Sequence, residues 1–214
     1  MNLSEATFIV PTTTPKADNK ARFFNLELEL PFAEHPTVGK CRALSEAGII
    51  EPKYGKVVRE CGVVTLEVTD TEPTIIRFKL LYAKSRDFSG QDIATVTEAL
   101  DASNVIDAAV YDFGPICLTI LLGSAEAVLQ LATQDALLIE VLKHLQVSGF
   151  HVIGRHSHHK YEVRTFVPLV GVKEDPVCGS GSGATAASLR DSQNITGITG
   201  EPGYCIKQSW KHHY

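Results

Sequence analysis

The sequence predicts an α+β protein built from two similar halves, and three observations predict it. Stretches of alternating apolar residues lead into a helical apolar pattern, and this strands-then-helix order occurs twice. Laying Pro176 on Pro31, an offset of 145, sets "PVCGSGSGA" on "PFAEHPTVG", with Cys178 on Ala33, Gly179 on Glu34 and Ser180 on His35. At 214 residues and 44% apolar content the chain can form its cores without disulfide staples. The expected division is 1–88 and 89–214.

The elements follow in order. "FFNLELEL" reads as one half-buried strand, with Phe24, Leu26, Leu28 and Leu30 on one side and Asn25, Glu27 and Glu29 on the other. Val38, Cys41, Leu44 and Ala47 predict a helix over Thr37–Gly48. "KVVRECGVVTLEVTD" and "TIIRFKLLYA" predict two strands joined by a "TDTEP" turn. Ser89 and Asp92 have the spacing of a capping box, and Ile93, Val96 and Leu100 continue the helix. "AAVYDFGPICLTILLG" is a long apolar strand region, followed by helices over Ser124–Thr133 and Asp135–Gln146. Strands "GFHVIG" and "YEVRTFVP" lead into "EDPVCGSGSGATAASL", where a Gly/Ser loop becomes a helix of small residues.

Composition excludes several functions. The formal net charge is −5 and no Lys/Arg cluster occurs, which speaks against nucleic acid and anionic membrane as partners. No apolar run reaches the length of about 20 residues that a membrane helix needs. The first residues have no basic region ahead of their apolar run, so no signal peptide is expected. Five cysteines, without a CxxC, predict reduced thiols in a cytoplasmic protein and no zinc site.

The glycine loop has three readings. As a phosphate cradle it lacks the P-loop lysine and a GxGxxG in a βαβ unit. As a linker it is followed too closely by a helix. As a helix N-terminus, its unpaired amides could hold a carboxylate or oxyanion, and a plain helix start competes with this. Asp175 reads as a turn residue or as a side chain directed at that anion pocket. His35, at the matching helix start, reads as solvated or as a proton relay. Glu5 alone carries little signal. Cys178 is the thiol best placed for a lowered pKa, against the simpler reading of a small buried residue. His156, His158 and His159 raise a metal reading, but Arg155 and Lys160 flank them and no acidic partner is evident, so no metal is expected.

"LSEATF", "RFFNLELELPFAEHPTVG" and "RTFVPLVGVKEDPVCGSGSGATAASL" resemble, in order and spacing, the phenazine-biosynthesis isomerase (PhzF-like) family. That family's patterns read SETxF, RxFTPxxELPFAGHPTLG and RxFAPxxGxxEDPATGSAxGALAxYL. The resemblance implies a diaminopimelate-epimerase-like fold, with two β-roll or barrel domains, each around a central helix, and the active site between them. It implies a homodimer that uses no cofactor and moves a carbon-bound proton on a small carboxylate substrate. The family's catalytic glutamate, histidine and aspartate map to Glu5, His35 and Asp175, and its serine to Ser180. The amides around Gly179–Gly181, beside Cys178, would hold the substrate carboxylate. Departures are Glu34 for a glycine, Phe24-Asn25-Leu26 for FTP, and Cys178 for a threonine. Related racemases use a second cysteine where this chain has Ala33, which excludes a two-thiol racemase. Family members begin two strands earlier and continue into a QGxxxGRPS segment, so the chain is expected to be truncated at both ends, with an incomplete N-terminal roll. A catalytically inactive binding or scaffold protein of the same fold is the alternative.

Overall fold

A computed structural model describes residues 5–25, 28–30, 32–50, 54–59, 62–68, 76–78, 84–86, 89–157, 160–175, 178–195 and 199–200. Leu26, Glu27, the "TDTEP" turn, His158, His159 and the "WKHHY" tail lie outside them. The chain forms two compact units, Met1–Leu81 and Tyr82–Tyr214.

The first unit contains β1 (Ala6–Val10), β2 (Asn19–Phe24), β3 (Glu29–Leu30), α1 (Glu34–Glu46), β4 (Tyr54–Arg59), β5 (Gly62–Val68) and β6 (Ile76–Phe78). Its sheet runs β1-β2-β4-β5-β6, with β3 added to β2. The stretch read as one strand from Phe23 to Leu30 is a hairpin, in which Phe24 pairs with Glu29 and Phe23 with Leu30. Asn25 turns the chain: its Oδ1 accepts the Leu28 N–H at 2.7 Å and its own N–H donates to the Leu28 carbonyl at 3.1 Å. Phe23 therefore enters the core, while Leu28 is exposed. "KVVRECGVVTLEV" likewise holds two antiparallel strands, β4 and β5. Helix α1 starts three residues before its expected first residue, with Pro36 tolerated in the first turn. It buries Thr37, Lys40, Cys41 and Leu44, and Cys41 and Leu44 pack with Phe23, Phe32 and Leu66.

The second unit contains β7 (Lys84–Arg86), α2 (Gly90–Leu100), β8 (Val105–Asp112), β9 (Ile116–Leu122), α3 (Ala125–Leu129), α4 (Asp135–Leu145), β10 (Gly149–Ser157), β11 (Lys160–Val167), β12 (Val172–Asp175), α5 (Gly179–Gln193) and β13 (Thr199–Gly200). The Ser89–Asp92 capping box forms at the start of α2. The long apolar region is a hairpin: Gly114, at φ 101°, turns β8 into β9. The sheet runs β12-β11-β10-β9-β8-β7, with β13 on β11. Only the β9–β10 pair on this path is parallel, joined across α3 and α4.

Strand alternation divides the apolar residues between the two sheet faces. Leu118, Ile120, Phe150, Val152 and Phe166 form the main core with residues of α2, α3 and α4. Leu121, Ile153 and Tyr161 face the other way and pack against Leu189 of α5. Among the described residues neither sheet closes on itself, so the α+β class holds while each unit is an open sheet carrying helices rather than a closed barrel.

Candidate active site

In the first unit, Glu5 immediately precedes β1 and His35 is the second residue of α1. The strand and helix bring them together, with His35 Nε2 3.1 Å from Glu5 Oε2. The imidazole is more exposed than the carboxylate, at 54% and 21%. Ala33 is the N-cap and supplies no side-chain acceptor to the first-turn amides. Glu34 follows it, buried, with its carboxylate in the positive end of the helix dipole.

In the second unit, Cys178 is the N-cap of α5. The two N-caps, Ala33 and Cys178, stand at the offset of 145 that aligned the two motifs. The Gly181 N–H donates to Cys178 Sγ at 3.3 Å, and Ser180 Oγ lies 3.1 Å from the same sulfur. Ser180 is buried. The amides of Gly179 and Ser180, at the first two helical positions, have no intrahelical acceptor by geometry. Asp175 ends β12 and is half-buried, in register with Thr165 of β11.

Below the first turn of α5 lies a polar row that the sequence reading did not single out. Thr119, His151 and Thr165 are neighbours across β9, β10 and β11, all buried, and Asp175 extends the row on β12. His151 Nδ1 is 2.9 Å from Thr165 Oγ1, while His151 Nε2 and Thr119 Oγ1 have no hydrogen-bond partner. Burial pushes the His151 pKa down from 6.5 to about 3, so the ring is neutral. Gly181 rests directly on this pair: a Cβ there would lie 2.8 Å from both His151 Nδ1 and Thr165 Oγ1. Its glycine is thus a requirement of close packing. The only sequence signal is a histidine on an inward position of "GFHVIG".

Two other polar pairings also escape the sequence. Lys40, on the buried face of α1, donates from Nζ to Asn19 Oδ1 at 2.9 Å. Burial lowers its pKa from 10.5 to about 8. His156 does have an acidic neighbour, because Glu162 Oε2 lies 2.7 Å from its Nε2 across the β10–β11 hairpin. No cluster of three or more metal-ligating side chains occurs among the described residues. Cys41, Cys117 and Cys178 carry reduced thiols. No helix among the described residues is long and apolar enough to cross a membrane.

The family match and the isomerase-named relatives make this an isomerase-type protein. The chain belongs to the family described as phenazine biosynthesis-like protein, which it matches over residues 1–208. It is 40% identical over 201 residues to Antisense-enhancing sequence 1 of Schizosaccharomyces pombe, covering 90% of this chain and 68% of that protein. It is 31% identical over 208 residues to the trans-2,3-dihydro-3-hydroxyanthranilate isomerase of Pseudomonas aeruginosa, covering 91% and 68%. Among solved structures, the Bacillus anthracis phenazine biosynthesis protein of the PhzF family superposes with a TM-score of 0.77 at 20% identity, covering 94% of this chain and 72% of that one. The chain thus spans about two thirds of the length of these curated relatives.

Proposed function

We propose that this chain is a cofactor-independent isomerase or epimerase that moves a carbon-bound proton on a small carboxylate substrate. The observation that supports it most is the Glu5–His35 pair, 3.1 Å apart at the start of α1. The Glu5 carboxylate takes a proton from a substrate carbon, and the electron pair of the broken C–H bond delocalises toward the substrate's carboxylate. Glu5 then returns the proton to a different carbon, or to the other face of the same one. Bonds broken and formed balance, and no redox partner is needed. His35 shares the Glu5 proton and adjusts its transfer. Asp175 accepts hydrogen bonds from the substrate's amine or hydroxyl. The first-turn amides of α5 at Gly179 and Ser180, with Gly181 and Cys178 beside them, hold the substrate carboxylate.

The Pseudomonas aeruginosa relative is named for trans-2,3-dihydro-3-hydroxyanthranilate, which makes that acid the first substrate to try. The working unit is a cytoplasmic homodimer, as the family resemblance implies, and sedimentation as a monomer at micromolar concentration would remove that feature. The central test is deuterium incorporation from heavy water into the candidate acid. Wild-type chain exchanges the label and Glu5→Gln does not, because glutamine keeps the shape but cannot accept the proton. The expected loss is on the order of 10²–10⁴-fold, the usual contribution of a general acid–base group. Exchange undiminished in Glu5→Gln would overturn the assignment of Glu5.

A further inference from the structure

Each unit carries the same three-residue clasp just ahead of its site helix. On β2, Arg22 donates from Nε to Glu29 Oε1 at 2.8 Å and from Nη2 to Glu29 Oε2 at 2.6 Å. Its guanidinium lies over Phe24, 5.0 Å from the ring centre. On β11, Arg164 donates from Nε to Glu174 Oε1 and from Nη2 to Glu174 Oε2, both at 2.8 Å. Its guanidinium lies over Phe166 at 4.9 Å. The same guanidinium nitrogens meet the same carboxylate oxygens, and the aromatic ring is two residues beyond the arginine each time. The rings also sit in register with the glutamates, Phe24 with Glu29 and Phe166 with Glu174. Glu29 and Glu174 each stand five residues before the first residue of a site helix, Glu34 and Gly179.

The two clasps differ in strength. Arg22 and Glu29 are 49% and 33% exposed, a setting in which ion pairs contribute little. Arg164 and Glu174 are 15% and 18% exposed. Arg164 also reaches from Nη1 to the carbonyls of Val128 at 3.2 Å and Leu131 at 3.0 Å. It thereby ties the C-terminal end of α3, β11 and β12 together, a use of the planar fork that a lysine cannot reproduce. The held strand, β12, is four residues long, ends the sheet path, and has Asp175 as its last residue.

We propose that Arg164 and Glu174 are positioning residues that fix Asp175 and the first turn of α5, and that Arg22 and Glu29 are a weaker counterpart for the start of α1. Their effect on turnover rests on the function proposed above; their effect on the backbone does not. The test is amide hydrogen exchange on the full chain, comparing wild type with Arg164→Lys, Glu174→Gln and Arg22→Lys. In both second-unit variants, exchange at residues 172–175 and 179–182 should rise about tenfold or more, while β8 and β9 keep their protection. Arg22→Lys should produce a smaller rise confined to residues 28–37. With trans-2,3-dihydro-3-hydroxyanthranilate as probe, Arg164→Lys and Glu174→Gln should lower kcat/KM on the order of tenfold, since small misplacements of reacting groups are costly. A rise spread evenly over the second unit, or no rise at all, would overturn the proposal. Should wild type not turn over the probe while the local rise appears, the clasp stands and the proposed reaction falls. If Arg164→Lys fails to fold, Glu174→Gln carries the test, since it removes a charge and keeps the shape.

Discussion

Acidification should destabilise the second unit through one residue, His151. The ring is fully buried between β11 and the first turn of α5, and its pKa falls from 6.5 to about 3. Between those values the unfolded chain binds a proton that the folded chain refuses. Stability from this group is therefore complete above about pH 6.5 and declines as pH falls toward 3, at about 1.4 kcal/mol per pH unit. From pH 7 to pH 5 the loss is about 2 kcal/mol. Carboxylates also titrate in acid, so the comparison needs a variant, His151→Asn, which retains a polar side chain but has no basic nitrogen. Urea unfolding followed by circular dichroism, at both pH values on both proteins, isolates the histidine as a difference of differences. Wild type should lose about 2 kcal/mol more than His151→Asn between the two conditions. Equal losses would show that the ring accepts a proton in the folded state, and the account of a dry pair under Gly181 would be wrong.

Gly181→Ala should destabilise by about 1–3 kcal/mol, because its Cβ would meet His151 and Thr165 at 2.8 Å. Gly39→Ala should stabilise by about 0.5–1 kcal/mol, since it lies within α1 with nothing within 4 Å of the added methyl; thermal unfolding that ranks the two the other way refutes both packing arguments. Lys40 has a folded pKa lowered from 10.5 to about 8, so its buried charge penalises folding most below pH 8 and progressively less toward 10.5. Relative to Lys40→Met, wild type should gain about 2 kcal/mol between pH 7 and pH 9.5 in denaturant titrations, and a pH-independent difference would contradict the burial.

Much of the fold is legible in the sequence because period and capping are local. The Ser89–Asp92 box, the helix from Asp135 and the offset of 145 between the helix starts all appear in the structure, while the helix expected over Ser124–Thr133 ends at Leu129. The errors are turns hidden inside alternation. "FFNLELEL" has the pattern of one strand, but the Asn25 side chain caps a tight reversal, so the two ends pair with each other. The site was less legible. Glu5 and His35 are 30 residues apart in sequence, and the family pattern, rather than periodicity, marked them. His151, Thr165, Arg164 and Glu174 acquire meaning only when strand register sets them beside one another. Glu162 is not evident in the sequence as the neighbour of His156 because the two face each other across a hairpin whose register shifts.

The two helix starts differ at the N-cap, and that difference bears on mechanism. A thiol shuttle that inverts a carbon centre needs a second acid–base group on the opposite face, and the matching position here is Ala33, which has no titratable atom. Cys178 instead accepts the Gly181 N–H and contacts Ser180, the work of a capping oxygen performed by sulfur. Cys178→Ser should therefore preserve both the cap and proton exchange. Cys178→Ala should cost about 1 kcal/mol in stability, the usual value of a lost N-cap. Glu5→Gln should do the reverse, leaving stability nearly unchanged and abolishing exchange. The assay is deuterium uptake by the candidate carboxylate in heavy water, with thermal unfolding alongside. If Cys178→Ser stops exchange while Glu5→Gln spares it, the proton travels on sulfur and the carboxylate mechanism is wrong.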